Sequence, residues 1–199
     1  MSAFFYGFGT GFSLILAIGA QNAFVLKQGL KQQYMLLVAL ICAASDSILI
    51  FAGVSGFSHV MAQFPQILTI AQYAGALFLF AYGLRSFYQA FYQDAALSPS
   101  ELEPENWIKI MLMCLAFTWL NPHVYLDTML LIGSISTQFS AHRFLFASGA
   151  MMASWIFFFS LAYGAKLLLP IFQQPRAWKI LDACIGLLMW SIAIRLLWH

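Results

Sequence analysis

Charge is what this chain has least of. Asp, Glu, Lys and Arg make up 8% of its 199 residues, against roughly 25% in an ordinary soluble domain. The net charge of +2 is too small to argue for a nucleic-acid partner. There is no Gly-rich phosphate loop, no nucleophile elbow and no cluster of metal-ligand spacing, so no catalytic residue, cofactor or metal is expected. The three cysteines, Cys42, Cys114 and Cys184, lie in apolar runs without C-x-x-C spacing and read as free buried thiols. Basic residues are missing from the start as well. The first is Lys27, so the N-terminal apolar stretch lacks the basic region of a cleaved signal and is expected to stay in the mature protein.

What is present is apolar. The chain is 62% hydrophobic with a mean hydropathy of +0.83, where a soluble domain carries roughly 45–50%. A membrane-crossing helix needs about 20 mostly apolar residues. Six such spans are read, at 3–26, 34–57, 65–89, 108–135, 142–168 and 177–198. The uncharged stretch 47–84 is too long for one span, and Gln63-Phe64-Pro65 near His59 marks its turn. The only clearly soluble segment is DAALSPSELEPEN at 94–106, with two prolines and four acids.

That loop divides a single 199-residue domain into halves of three spans, about 1–93 and 107–199. Three spans per half make the halves cross in opposite senses. The expected fold is an all-α integral membrane protein of six transmembrane helices, built as two inverted three-helix repeats with the first and fourth interrupted. Gly75 lies ten residues before Arg85 in the third span, and Gly186 lies nine before Arg195 in the sixth. Lys27, Lys31, Arg85, Lys109, Lys166, Arg176 and Lys179 fall on one side, and only Arg143 and Arg195 on the other. The positive-inside bias puts the first group in the cytoplasm and both termini outside. A five-span arrangement with a re-entrant first or fourth segment is the rival.

Two acids stand inside spans, and each costs several kcal/mol in lipid unless it faces protein or a wet cavity. Asp46 is near the middle of the second span between Ser45 and Ser47. Asp127 follows an Asn-Pro in LNPHVYLD at 120–127. Pro122 cannot donate to the Thr118 carbonyl, Asn121 suits an N-cap and Pro a first helical position. A helix should therefore restart inside the bilayer, its N-terminus able to hold a carboxylate. His123 and Asp127 are four apart and share a helix face, with Asn121 and Tyr125 flanking. The matching break in the first span is GAQN at 19–22, where Gly19 loosens the helix and Gln21 and Asn22 offer amide donors and acceptors. Gly7 and Gly11 have the spacing of a close helix contact. Asp182, three residues after Lys179, reads as an interfacial ion pair, and Arg85, Lys166 and Arg195 as snorkelling to headgroups.

At these residues the chain resembles the lysine exporter family of bacterial inner-membrane amino-acid efflux proteins, in its lysine/arginine branch. The matching stretches are IGAQNAFVLKQGL at 18–30, ASDSILI at 44–50 and LNPHVYLDTMLLIG at 120–133. Homoserine and threonine exporters of the wider superfamily carry a Pro-Gly-Pro element where GAQN stands. Lys27 stands where relatives often have Arg. The resemblance implies a multi-pass inner-membrane exporter of arginine or lysine, driven by the membrane potential or a proton gradient, with Asp46 and Asp127 needed for transport. The lipid bilayer, a basic amino acid and a coupling proton are its implied partners, and a homo-oligomer stays open. A channel or an exporter of another small polar or ionic solute is the alternative. A thiol-disulfide carrier would need a cysteine in the first span, which has none.

Overall fold

The computed structural model describes residues 2–17, 19–56, 65–92 and 106–198. Residues 57–64, the loop at 94–106 apart from Asn106, and His199 lie outside the described residues, and with them the turn at Gln63-Phe64. The chain is all-helical over what is described. The helices are α1 (Ser2–Ile15), α2 (Ala20–Lys31), α3 (Met35–Val54), α4 (Pro65–Tyr92), α5 (Trp107–Trp119), α6 (122–136), α7 (Arg143–Gly164) and α8 (Pro175–Trp198).

Met35–Val54, Pro175–Trp198 and the helical stretch Pro122–Leu168 are long and apolar enough to cross a membrane. That stretch turns at Phe139, whose backbone (φ −111°, ψ 41°) leaves the helical region between α6 and α7. α4 has 28 residues, about 42 Å of helix at 1.5 Å per residue. α1 and α2 pass the same test only as a pair, and they meet at a bend of 81°. Large apolar side chains such as Phe5, Ile48, Ile70, Leu77 and Leu187 cover the outside of the bundle, a surface suited to lipid and not to water.

Small residues set the helix directions. A Cβ on Gly7 would stand 1.9 Å from the Phe146 carbonyl oxygen, so only glycine lets α1 lie on α7 there. Gly11 meets Ala150 and, beyond the bend, Gly29 meets Ala162, so α1 and then α2 follow α7 from one end to the other. α3 runs parallel to α5 and α6: Ser45 meets Trp119, and Gly53 meets Met129 and Gly133. α4 and α8 are antiparallel, with Gln72 bonded to the Leu196 carbonyl and Gly83 against Gly186. α3 and α7 are also antiparallel, joined by Asp46–Ser154 at one level and Phe51–Phe144 at another.

The main core gathers Phe24, Val25, Val38, Cys42, Tyr82, Ile110, Cys114, Phe117, Phe158 and Met189. Its aromatic centre is tight, with Phe117 ring centroids 5.0 Å from both Phe24 and Tyr82 and 4.8 Å from Phe78. Cys42 and Cys114 are buried there, whereas Cys184 is exposed on the outer face of α8, against the expectation of three buried thiols.

Candidate functional site

The first break forms because α1 stops before Gly19. Gly19 is extended (φ −117°, ψ 176°) and caps α2 through its carbonyl, which accepts from Ala23 N at 3.1 Å. The stranded carbonyls at the end of α1 find a donor in Asn22, whose Nδ2 reaches Ile15 O at 2.8 Å and Ala17 O at 3.0 Å. The amide expected to serve a ligand with both donors thus fixes the bend, and its oxygen is what remains.

The second break is the expected one. α5 ends at Trp119, and Asn121 is extended (φ −100°, ψ 106°) with its side-chain oxygen accepting from His123 N at 3.2 Å. Pro122 is the first residue of α6. Beyond it the backbone is not plain α-helix: Tyr125–Leu131 is a π-helical segment of seven residues, a wide turn that carries Asp127. Tyr125 braces the break, its hydroxyl donating to Trp119 O at 2.7 Å and its ring edge-on to Trp119.

Both breaks open onto one cavity of about 290 Å³, near the lower end of small-molecule pockets at roughly 300 Å³. Gly19, Gln21, Asn22, Asp46, Asn121, His123 and Asp127 line it together, although they come from three separate stretches: the start of α2, the middle of α3 and the start of α6. Pro122 and Tyr125 are not in its wall; they hold the helix restart that is. Thr128 also lines it, and so does Arg195, which was expected at the headgroups. Arg195 is exposed near the end of α8, where the cavity reaches toward that side of the bundle. The Phe24, Tyr82 and Phe117 rings pack in the main core and do not line the cavity.

Asp46 is buried, and Ser154 Oγ donates to its Oδ2 at 3.1 Å. Its neighbours fasten α3 to two other spans: Trp119 Nε1 donates to Ser45 Oγ at 3.3 Å and Trp155 Nε1 to Ser47 Oγ at 3.0 Å. Gln21 is buried with its side-chain amide turned to this carboxylate. Asp127 is half-buried, and His123, four residues before it, lines the same cavity. No cation pairs with either acid among the described residues. The cavity therefore presents two carboxylates and one guanidinium, groups of both signs, on one wall. Nothing in the described residues groups three metal ligands.

Asp182 departs from the sequence reading. It is buried, and its partner is Lys27 of α2, itself 4% exposed, which also donates to Gln89 Oε1 at 2.9 Å. Three spans meet in this pair, and no local spacing could have signalled it.

The LysE type translocator family matches residues 12–199. The chain belongs to that family. This LysE type translocator is 41% identical to the arginine exporter protein ArgO of Klebsiella pneumoniae over 194 residues, 97% of this chain and 92% of the relative. It is also 41% identical to ArgO of Salmonella enteritidis, over 98% of this chain and 93% of the relative. With ArgO of Serratia proteamaculans it shares 40% identity over 100% of this chain and 98% of the relative. No solved structure matches it.

Proposed function

We propose that this LysE type translocator is a secondary carrier that exports arginine or lysine from the cytoplasm. The observation that carries the reading is the meeting of both helix breaks at a cavity holding Asp46 and Asp127. A basic amino acid brings two cationic groups and one carboxylate. The two acids answer the first, and the Arg195 guanidinium that lines the same cavity answers the second. The relatives named as arginine exporters point the same way.

The packing supports six spans in two inverted halves. The third span lies on the sixth and the second on the fifth, each antiparallel. The first lies parallel on the fifth as the fourth lies parallel on the second. A two-fold axis exchanging the halves would produce this set of pairs. The passage of α1 and α2 along the length of α7 favours a full crossing over a re-entrant first segment. The charge bias of seven basic residues to two supports a cytoplasmic position for the Lys27 end. In that orientation the cavity leans outward and the aromatic core seals the inner side, as a carrier requires and an open channel does not.

Moving a cation out against an inside-negative potential costs about 2.3 kcal/mol per charge per 100 mV. Counter-movement of a proton, carried on Asp46 or Asp127, offsets that cost. The test is efflux from preloaded cells and counterflow in vesicles with arginine, lysine and neutral amino acids compared. Saturable counterflow of basic amino acids alone is expected. Flux without counterflow would make it a channel, and equal flux of neutral amino acids would overturn the substrate assignment.

A further inference from the structure

The sealed end of the bundle holds a second set of buried polar groups, separate from the cavity at the helix breaks. Lys27, Gln28 and Gln89 border a void of about 10 Å³, room for roughly one water. Lys27 is bonded to Asp182 Oδ1 and Gln89 Oε1. Gln28 is 3% exposed, and its Oε1 has no hydrogen-bond partner. An orphan acceptor at such depth is costly and asks for a donor. Lys31 and Arg85 border the same void and add positive charge on its rim.

The lysine side chain of Lys27 is a flexible stem ending in an ammonium, the same group a lysine substrate presents. We propose that Asp182, Gln89 and Gln28 form an inner loading site for the cationic side chain of a basic amino acid. In the sealed state Lys27 occupies that site as a tethered surrogate. The proposal rests on the export reading and deepens it. The acceptor set is Asp182 Oδ1, Gln89 Oε1 and the unused Gln28 Oε1; Arg85 on the rim meets the incoming carboxylate.

The exchange explains how opening is tied to loading. Parting α2 from α4 and α8 without a ligand leaves the Asp182 carboxylate and the Gln89 amide oxygen without their donor, which is strongly unfavourable in a buried setting. A substrate ammonium or guanidinium that replaces Lys27 restores those bonds. The inner side therefore opens with substrate and stays shut without it, which limits leak.

The test is uptake of labelled lysine into inside-out vesicles, with half-saturation measured separately on the cytoplasmic and outer faces. Gln28→Met keeps the volume and removes the orphan acceptor, so it should fold and raise the cytoplasmic half-saturation without moving the outer one. Lys27→Met removes the tethered competitor and should lower the cytoplasmic half-saturation while raising uncoupled leak. The paired Lys27→Met and Asp182→Asn variant leaves no buried charge and should insert normally, yet its cytoplasmic half-saturation should rise by about tenfold. Wild-type half-saturation on both faces in that paired variant, or in Gln28→Met, would reduce the pair to a structural bond and overturn the site. Wild-type vesicles that take up no basic amino acid would overturn the export reading, and this site with it.

Discussion

At the scale of single residues, rarity marked Asp46 and Asp127 and geometry gives them neighbours. Asp46 accepts from Ser154, faces the Gln21 amide and pairs with no cation among the described residues. Asp46→Asn keeps the shape and can still accept from Ser154, so the protein should insert at wild-type level. The loss of a charged partner for a substrate ammonium is worth roughly 1.5–3 kcal/mol, about ten- to a hundredfold in affinity. Arginine efflux from cells carrying Asp46→Asn or Asp127→Asn should fall by that order, with membrane abundance checked on immunoblots. Wild-type efflux from both well-expressed variants would leave the acids without a role in transport. The sequence exposed these acids because a carboxylate between Ser45 and Ser47 in an apolar helix stands alone. It hid Arg195, Ser154 and the partner of Asp182, because each acts across a distance no local pattern encodes. Lys179 is three residues from Asp182 in sequence, and Lys27 is 155.

Among the elements, the two interrupted spans were the most legible, for different reasons. Asn121-Pro122 is chemically explicit, since a missing donor beside a capping amide favours the end of one helix and the start of another over a plain kink. Gly19 gave the place of the first bend but not its fastening, which depends on Asn22 turning back to Ile15 and Ala17. The π-helical turn at Tyr125–Leu131 left no mark in spacing, because the i, i+4 match of His123 and Asp127 suits an α-helix equally. Two outcomes follow at this scale. Asn121→Ala removes the cap at a cost of about 1 kcal/mol, so thermal stability in detergent should drop slightly while transport drops much more. A proportional fall in both would make the cap purely structural. Gly7→Leu drives a side chain into the Phe146 backbone, and overpacking of this kind costs roughly 1–3 kcal/mol. Gly9, with open space around it, should accept leucine with little change in melting temperature.

For the whole molecule, the basic residues and the packing directions make one argument. Lys27 and Lys31 end α2, Arg85 is near the end of α4, and Lys109 starts α5. Lys166 follows α7, and Arg176 and Lys179 start α8. Because α4 and α8 are antiparallel and α2 follows α7, these seven residues fall at one end of the bundle. Arg143 and Arg195 fall at the other. Insertion responds to such a bias by holding the basic end in the cytoplasm. With Cys42, Cys114 and Cys184 replaced by alanine, a single cysteine at Ser98 should react with a membrane-impermeant thiol reagent only in inside-out vesicles or opened cells. A cysteine at His199 should react in intact spheroplasts. Labelling of Ser98 from outside would invert the molecule, turn the cavity at Asp46 and Asp127 toward the cytoplasm and put the Lys27–Asp182 seal on the outer face. The same helices would then describe an inward-facing state. The label at one loop therefore decides which end of the carrier is shut.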